Sequence, residues 1–229
     1  NTTPDSFSVG GKFTTLDSSS AHALQMINEG ADLIDIGGQS TRPGAVEISA
    51  EEEIRRILPV IKYLRKKAPE KILSVDTSKA EVAEIALKEG VAVINDVSGG
   101  QGKALLEVVS KYDAGLIIMH KKGSPESMQL NPSYKDVVGE IKAYLTHMCD
   151  LAYSAGVSKD KLVVDPGIGF GKLLEHNMAI LNALTEFSEI GYPVMIGTSR
   201  KRSLQEICGT RTPSQLEGAT CATTALGVQ

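Results

Sequence analysis

The sequence predicts an α/β fold, a (β/α)8 TIM barrel, on three observations. Short aliphatic runs recur along the chain without polar alternation, which is typical of strands buried on both faces of a parallel sheet. An amphipathic helical segment separates successive runs, so strands and helices alternate. Each run ends in a polar, glycine-rich cluster. An open doubly wound sheet concentrates its site at one switch point, whereas a barrel brings all strand ends to one rim, so this pattern favours the barrel.

The predicted elements follow one another in a regular order. The strands are expected at 32–37, 72–76, 92–96, 115–120, 161–165 and 193–197. The helices are expected at 18–29, 50–67, 79–89, 102–112, 133–155, 175–190 and 214–226. Because a barrel needs eight strands, we expect the first and last to lie outside the chain. Residues 1–229 are then a single domain taken from a longer protein.

Several residues mark the ends of the predicted helices. Ser49 with Glu52, and Ser78 with Glu81, match the capping-box pattern at two helix starts. Pro59 is expected to kink or divide the helix over 50–67, because proline lacks a backbone N–H. Four glycines stand where a helical pattern stops, in a position that favours a left-handed residue: Gly30, Gly90, Gly156 and Gly191.

Charge and cysteine usage narrow the class of protein. The 24 Lys and Arg nearly balance the 28 Asp and Glu, so the chain has no electrostatic footprint for nucleic acid or an anionic membrane. Cys149, Cys208 and Cys221 are odd in number and form no C-x-x-C pair, which indicates free thiols in a reducing, cytoplasmic compartment. No apolar run approaches the ~18 residues of a membrane span.

Polar residues at the strand ends indicate one distributed site. A lone aspartate at a strand end commonly anchors a turn, but Asp76, Asn95 and Asp165 would converge at the rim of a barrel. Carboxylates accept hydrogen bonds from N–H groups, and an asparagine both donates and accepts. This combination suits a flat nitrogen heterocycle better than a sugar. The other rim positions are occupied by Asp35, His120 and Lys201.

Cations on the same rim indicate a phosphorylated ligand. Arg42, beside Ser40 and Thr41, follows the first visible strand, and Lys201 follows the last, where barrels commonly hold phosphate. The motif GIGFGK lacks the third glycine of a dinucleotide fingerprint, so it predicts a tight turn that backbone, a ring or Phe170 can approach closely. His120 lies near no recognised nucleophile motif.

The motifs resemble those of the dihydropteroate synthases, a family of pterin-binding enzymes. The sequences NTTPDSFS, DIGGQSTRPGA, SVDTSKAEVA, INDVSGG, DPGIGFGK and GTSRK occur in the family's order. The resemblance implies a TIM barrel of folate biosynthesis, a transferase that joins 6-hydroxymethyl-7,8-dihydropterin diphosphate to p-aminobenzoate and releases diphosphate with the help of Mg²⁺. We also expect small-molecule substrates only, and a homodimer.

The same resemblance implies a role for individual residues. The pterin would be held by Asp76, Asn95, Met119, Asp165, Phe170 and Lys201. The diphosphate would be held by Thr41 and Arg42, and the p-aminobenzoate by Phe7, Pro43 and Ser199. Asn1 would be the Mg²⁺ ligand, while Lys201, Arg42 and Asp165 would act in catalysis.

Departures from the family pattern leave two alternatives open. Val9 stands where the family usually has an aspartate thought to support a cationic intermediate, so a catalytically impaired pterin-binding subunit is one alternative. A methyltetrahydrofolate–corrinoid methyltransferase, a related barrel with similar pterin-binding acids, is the other. Thr41, Arg42 and Lys201 argue against it, because methyl transfer needs no diphosphate clamp.

Overall fold

The structure is a computed structural model that describes residues 2, 15–40, 46–100, 102–123 and 132–228. Its strands are β1 (Leu33–Gly37), β2 (Ile72–Asp76), β3 (Val93–Asp96), β4 (Gly115–Met119) and β5 (Leu162–Asp165). Its α-helices are α1 (Thr15–Asn28), α2 (Ala50–Lys67), α3 (Ala80–Lys88), α4 (Lys103–Lys111), α5 (Val137–Ser154), α6 (Leu174–Asn182), α7 (Leu184–Ser188), α8 (Arg202–Cys208) and α9 (Glu217–Val228). Short 3-10 helices span Lys159–Lys161 and Pro213–Leu216.

The strand order identifies the architecture as barrel-like. All four strand pairs are parallel, and the order β1-β2-β3-β4-β5 follows the chain without a reversal. A doubly wound sheet reverses its strand order at a switch point, and no reversal occurs among the described strands. Singly wound strands with a helix after each one build a (β/α) barrel, as the sequence predicts.

The two faces of the sheet have different environments. Alternate strand residues pack against the helices and form one continuous apolar core: Ile34, Ile36, Leu73, Val75, Ile94, Leu116, Ile118, Leu162 and Val164. The residues between them point to the opposite, inner face, because successive side chains of a strand alternate. That inner face carries Asp35, Ser74, Asp76, Asn95 and Asp165, which are all the polar residues of the described strands except Asp96, which shares the alternation of Ile94.

The sixth predicted strand, over 193–197, is reduced to one bridge. Val194 pairs in parallel with Val164 of β5, whose N–H donates to Pro193 O (2.9 Å) and whose carbonyl accepts from Met195 N (2.8 Å). Pro193 has no N–H to contribute, so the ladder cannot extend past it toward the N-terminus. The segment nevertheless continues the order of the sheet beside β5.

Several helix predictions need correction. The segment 175–190 contains two helices that meet at Ala183, and α8 is a helix that the sequence pattern did not predict. Pro59 lies inside α2 without dividing it, because buried Ile57, Val60 and Ile61 pack that helix against the core.

The predicted helix caps are confirmed in part. Ser49 Oγ accepts from Glu52 N as predicted, but Glu52 pairs with Arg55 and Arg56 of its own helix instead of closing a capping box. The residue that caps α3 is Lys79 and not Ser78, and it makes no side-chain cap bond. The glycines at 30, 90, 156 and 191 all have positive φ, from 89° to 103°, as a left-handed stop requires. No helix in the described ranges is long and apolar enough to cross a membrane.

Candidate active site

Asp76 and Asn95 lie side by side where β2 and β3 end. The two residues are partners in the parallel register, so their side chains share the inner face. Asn95 is 6% exposed, and Asp76 retains some contact with solvent although protein atoms surround its carboxyl. Burial raises the pKa of Asp76 well above its usual value, and the negative charges of Asp35, Glu53 and Asp96 raise it further. The surrounding carboxylates therefore oppose a negative charge on Asp76.

Asp165 ends β5 and turns its carboxylate toward the same region. It is 5% exposed, and its Oδ1 accepts from the backbone N–H of Gly167 at 2.7 Å. Burial raises the pKa of Asp165, while that hydrogen bond and the charges of Lys201 and Lys172 act in the opposite direction. One carboxylate oxygen is thus held by the turn, and the group is fixed in orientation for a ligand.

Phe170 lies in the loop after β5, and Lys201 lies directly before α8. The Lys201 ammonium lies 4.1 Å from the centre of the Phe170 ring. Burial lowers the pKa of Lys201, and the charges of Asp165 and Asp76 partly restore it. Lys201 therefore senses both carboxylates. Met119, 2% exposed at the end of β4 and in register with Asp165, completes the predicted pterin set.

Lys172 is a site residue that the sequence analysis missed. It is 3% exposed, and its ammonium donates to the backbone oxygens of Gly167 (2.9 Å), Phe170 (3.0 Å) and His120 (3.3 Å). It also lies 3.0 Å from His120 Nδ1. Burial lowers the pKa of Lys172 to about 7, and burial together with the nearby lysine charges lowers that of His120 to about 3. One side chain thereby ties the loop after β4 to the loop after β5.

The glycines of GIGFGK allow these two loops to touch. A Cβ on Gly167 would overlap the carbonyl oxygen of His120, and one on Gly171 would overlap that of Lys122. Gly169 faces the side chain of Lys201, where a Cβ would lie 3.2 Å from Cδ. Close backbone approach thus explains the motif, and the approaching group at Gly167 and Gly171 is the neighbouring loop.

The resemblance predicts Ser199 at the N-terminus of the following helix, but Ser199 lies before that position. It is exposed in a turn with Arg200, whose φ is 56°, and α8 begins only after Lys201. The preceding residue is fixed, because Thr223 Oγ1 of α9 donates to Thr198 Oγ1 at 2.7 Å. Ser199 is thus carried on an anchored turn rather than at a helix N-cap.

The remaining predicted site residues lie outside the described residues: Asn1, Phe7, Thr41, Arg42 and Pro43. Thr2, which follows Asn1 in the chain, is described. Thr2 donates through N (2.8 Å) and Oγ1 (3.0 Å) to Gly37 O, which brings the start of the chain to the end of β1. No group of three or more His, Cys, Asp or Glu within the described ranges is arranged to hold a metal ion.

Comparison with known proteins identifies the family to which this chain belongs. The family model described as "Pterin binding enzyme" matches residues 1–229, and the chain belongs to that family. The chain is 41% identical to the dihydropteroate synthase of Synechocystis sp., over 99% of this chain and 80% of the relative. The Xanthomonas albilineans dihydropteroate synthase with 4-aminobenzoic acid has a TM-score of 0.93 at 42% identity, covering 99% of this chain and 80% of that one. The complex of the X. albilineans enzyme with 7,8-dihydropteroate has a TM-score of 0.90 at 38% identity, covering 100% and 81%.

Proposed function

We propose that this chain is a dihydropteroate synthase, a transferase of folate biosynthesis. It joins 6-hydroxymethyl-7,8-dihydropterin diphosphate to p-aminobenzoate and yields 7,8-dihydropteroate and diphosphate. The convergence of Asp76, Asn95, Asp165 and Lys201 carries this proposal, because these groups match the donors and acceptors on the edge of a pterin. The 41% identity to a relative of that name supports it.

The pterin would lie on the inner face between Asp76 and Asp165. The carboxylates and the Asn95 oxygen would accept from its N–H groups, Lys201 would donate to an acceptor on the ring, and Met119 and Phe170 would pack against its faces. Binding N–H groups would also reduce the unfavourable burial that raises the pKa of both aspartates. The pocket is therefore suited to a ligand with several N–H donors.

The leaving diphosphate would meet Thr41 and Arg42, in the segment that follows β1. Arginine pairs with phosphoryl oxygens through two parallel hydrogen bonds, which suits this role. Asn1 would contribute a side-chain oxygen to Mg²⁺, a cation that prefers oxygen ligands and keeps several from substrate and water. When bound, Mg²⁺ would neutralise charge on the leaving oxygens.

The p-aminobenzoate would be enclosed by Phe7 and Pro43, with its carboxylate near Ser199. Thr198 is anchored to α9, so the turn that carries Ser199 is held in place beside Lys201. The aniline nitrogen would attack the pterin methylene as the bond from the methylene to the diphosphate oxygen breaks, and the aniline proton would leave to solvent. Enclosure would exclude water that competes for the methylene.

The decisive experiment measures diphosphate release. Release is expected only when the pterin diphosphate, p-aminobenzoate and Mg²⁺ are all present. Asp165→Asn should lower kcat/KM at least about 100-fold, since it removes a buried charge-assisted contact. Asp160→Asn, an exposed residue just before β5, is the matched control and should change little. Full activity in Asp165→Asn would overturn the site assignment.

Two further properties belong to this proposal. The enzyme is expected to depend on Mg²⁺, so chelation should abolish diphosphate release and added Mg²⁺ should restore it. A homodimer is also expected, which sedimentation of the protein at several concentrations would detect. A monomer at every concentration would remove that part of the proposal and leave the chemistry untouched.

A further inference from the structure

Asp35 accepts hydrogen bonds from two neighbouring strands on the inner face. Ser74 Oγ of β2 donates to its Oδ1 at 2.5 Å, and Asn95 Nδ2 of β3 donates to its Oδ2 at 3.0 Å. The bond to Asn95 reaches past β2, which lies between β1 and β3. None of the roles described above uses Asp35, although it touches a residue of the pterin pocket directly.

The oxygen Oδ1 forms the opposite end of the Asn95 amide. This oxygen is buried, and no donor within the described part of the chain reaches it. A buried carbonyl oxygen without a donor is unfavourable, so such an atom in a pocket marks a place where a ligand donates. Asn95 therefore faces its ligand as an acceptor.

The orientation of this amide follows from the chemistry of its neighbour. A carboxylate only accepts hydrogen bonds, so the NH2 end of Asn95 must face Asp35. Rotating the amide by half a turn would place Oδ1 against Oδ2 of Asp35, with two acceptors in contact and the 3.0 Å hydrogen bond lost. Asp35 thus leaves Asn95 one favourable orientation.

We propose that Asp35 is a positioning residue that holds the oxygen of Asn95 toward the pterin, so that the site selects heterocycles with an N–H at that position. The inference rests on the proposed function for the ligand class. A ring nitrogen with a lone pair at the same position would face the Asn95 oxygen and leave both acceptors unpaired. Asp35 therefore acts on specificity without touching the ligand.

Calorimetry with two ligand pairs tests this role. 6-Hydroxymethyl-7,8-dihydropterin carries an N8–H that the oxidised 6-hydroxymethylpterin lacks, and pterin carries a 2-amino group that lumazine lacks. In one of these pairs, the donor that distinguishes the two ligands should meet the Asn95 oxygen. For that pair, the wild type should bind the ligand with the donor at least about tenfold more tightly than the ligand without it. In Asp35→Asn that ratio should fall at least threefold, because a carboxamide at position 35 tolerates either orientation of Asn95. Ratios unchanged for both pairs would overturn the proposal.

Two further variants make the comparison specific. Asp32→Asn is the same chemical change at an exposed residue just before β1, and it should preserve both ratios. Ser74→Ala removes the other donor to Asp35 and should shift the affected ratio in the same direction as Asp35→Asn, but less. An equal shift in Asp32→Asn would show that the effect of Asp35→Asn does not come from its contact with Asn95, and this would contradict the proposal.

Hydrogen exchange of the Asn95 side chain in the wild type tests the Asp35–Asn95 bond even if Asp35→Asn does not fold. The side-chain NH2 signals of Asn95, assigned by their loss in Asn95→Ser, should be protected from hydrogen exchange before any ligand is added. Exchange as fast as that of an exposed asparagine would contradict the Asp35–Asn95 bond. Failure of every pterin to bind the wild type would count against the proposed function, whereas binding with unchanged ratios would count only against Asp35.

Discussion

Lys79 and Glu53 form a buried ion pair beneath the end of β1. The ammonium of Lys79 lies 2.7 Å from Oε2 of Glu53, whose side chain is 1% exposed, and 2.7 Å from Oε1 of Gln39. Gln39 Oε1 also accepts from Ile48 N at 3.4 Å, so the cluster joins the two ends of the segment that carries Thr41 and Arg42. The pair therefore anchors the proposed diphosphate segment to the helices.

Removing Lys79 should destabilise the protein strongly. Lys79→Met leaves Glu53 as an uncompensated buried charge, and we expect the free energy of unfolding to fall by about 3–5 kcal/mol. Lys62→Met is the matched control, because Lys62 pairs with Glu89 on the surface, where a loss of under about 1 kcal/mol is expected. Urea unfolding measures both, and equal losses would contradict the importance of the buried pair.

Asp76 and Asp96 are neighbouring buried acids, and replacing each with asparagine should change the free energy of unfolding in opposite directions. Burial raises the pKa of both, but Asp96 accepts from Ser98 N (2.7 Å) and Gly100 N (2.6 Å), whereas three carboxylates act unfavourably on Asp76. Asp76→Asn should stabilise the free protein by about 0.5–2 kcal/mol, as substitutions in strained sites often do. Asp96→Asn should cost about 1–3 kcal/mol, since one N–H loses its acceptor.

Asp76→Asn should also change pterin binding. Asp76→Asn should weaken binding at least about tenfold despite its greater stability, because the proposed pterin contact loses an acceptor. Thermal unfolding and calorimetry on the two variants test both statements. A destabilised Asp76→Asn would show that the carboxylate contributes to folding as well.

Lys172 should make stability depend on pH in the alkaline range. Its pKa is about 7 in the folded protein and about 10.4 in an unfolded chain, so the unfolded state binds more protons between these values. The free energy of unfolding of the wild type, relative to Lys172→Met, should therefore rise between pH 7 and pH 9.5, by at most about 1.4 kcal/mol per unit. Below pH 7 the difference should be flat.

An exposed lysine gives the reference for that experiment. Lys103 is 89% exposed at the start of α4, and Lys103→Met should show no such slope. Urea unfolding at several pH values measures all three proteins. A flat difference for Lys172→Met as well would mean that its three carbonyl partners keep Lys172 fully charged in the fold.

Gly167 should tolerate no side chain. Its φ is 70°, and a Cβ would overlap the carbonyl oxygen of His120. Gly191 has a similar φ of 91° with no atom within 4 Å of its Cβ position, so Gly191→Ala isolates the conformational cost, about 1–2 kcal/mol. Gly167→Ala should cost clearly more in urea unfolding and should also weaken pterin binding, because the turn holds Asp165. Equal costs would show that the loop after β5 moves away freely.

Val9→Asp should raise turnover. The family resemblance implies a carboxylate at this position that supports a cation-like methylene, and one electrostatic contact of that kind changes kcat about 100-fold to 1000-fold. Val9→Asn introduces a side chain with the shape of aspartate but without its charge, and it should leave kcat near that of the wild type. Steady-state diphosphate release compares the three proteins, and a decrease in Val9→Asp would contradict a supporting role for the carboxylate.

The sequence was sufficient where the signal is local. Asp76 and Asp165 are strand-end residues as predicted, because an aliphatic run and the polar residue that stops it are adjacent in the chain. The helix-ending glycines were predictable for the same reason. The run after residue 192 forms one bridge, since strand pairing there depends on what lies beside it and not on apolar character alone.

The sequence was insufficient where function depends on distant contacts. Lys172 follows a glycine-rich turn and looks like a solvated cation, yet tertiary packing buries it against the backbone of the preceding loop. The bond from Asn95 to Asp35 joins residues that are 60 positions apart. The assignments of Phe7, Pro43, Thr41, Arg42 and Asn1 stay predictions, and so does the role of Ser199.

The strand order follows the chain without a reversal, and this predicts how a bound pterin should change local unfolding. The side chains proposed to hold the pterin lie at β2, β3, β4, β5 and the turn at Lys201, which are consecutive units, so their contacts with one ligand would join residues across about half of the chain. Opening any one of these units would release the ligand, and each should then gain protection of about RT ln(1 + [L]/Kd). Hydrogen exchange with and without pterin should therefore slow throughout residues 72–201 in step, while α1, outside that span, exchanges as before.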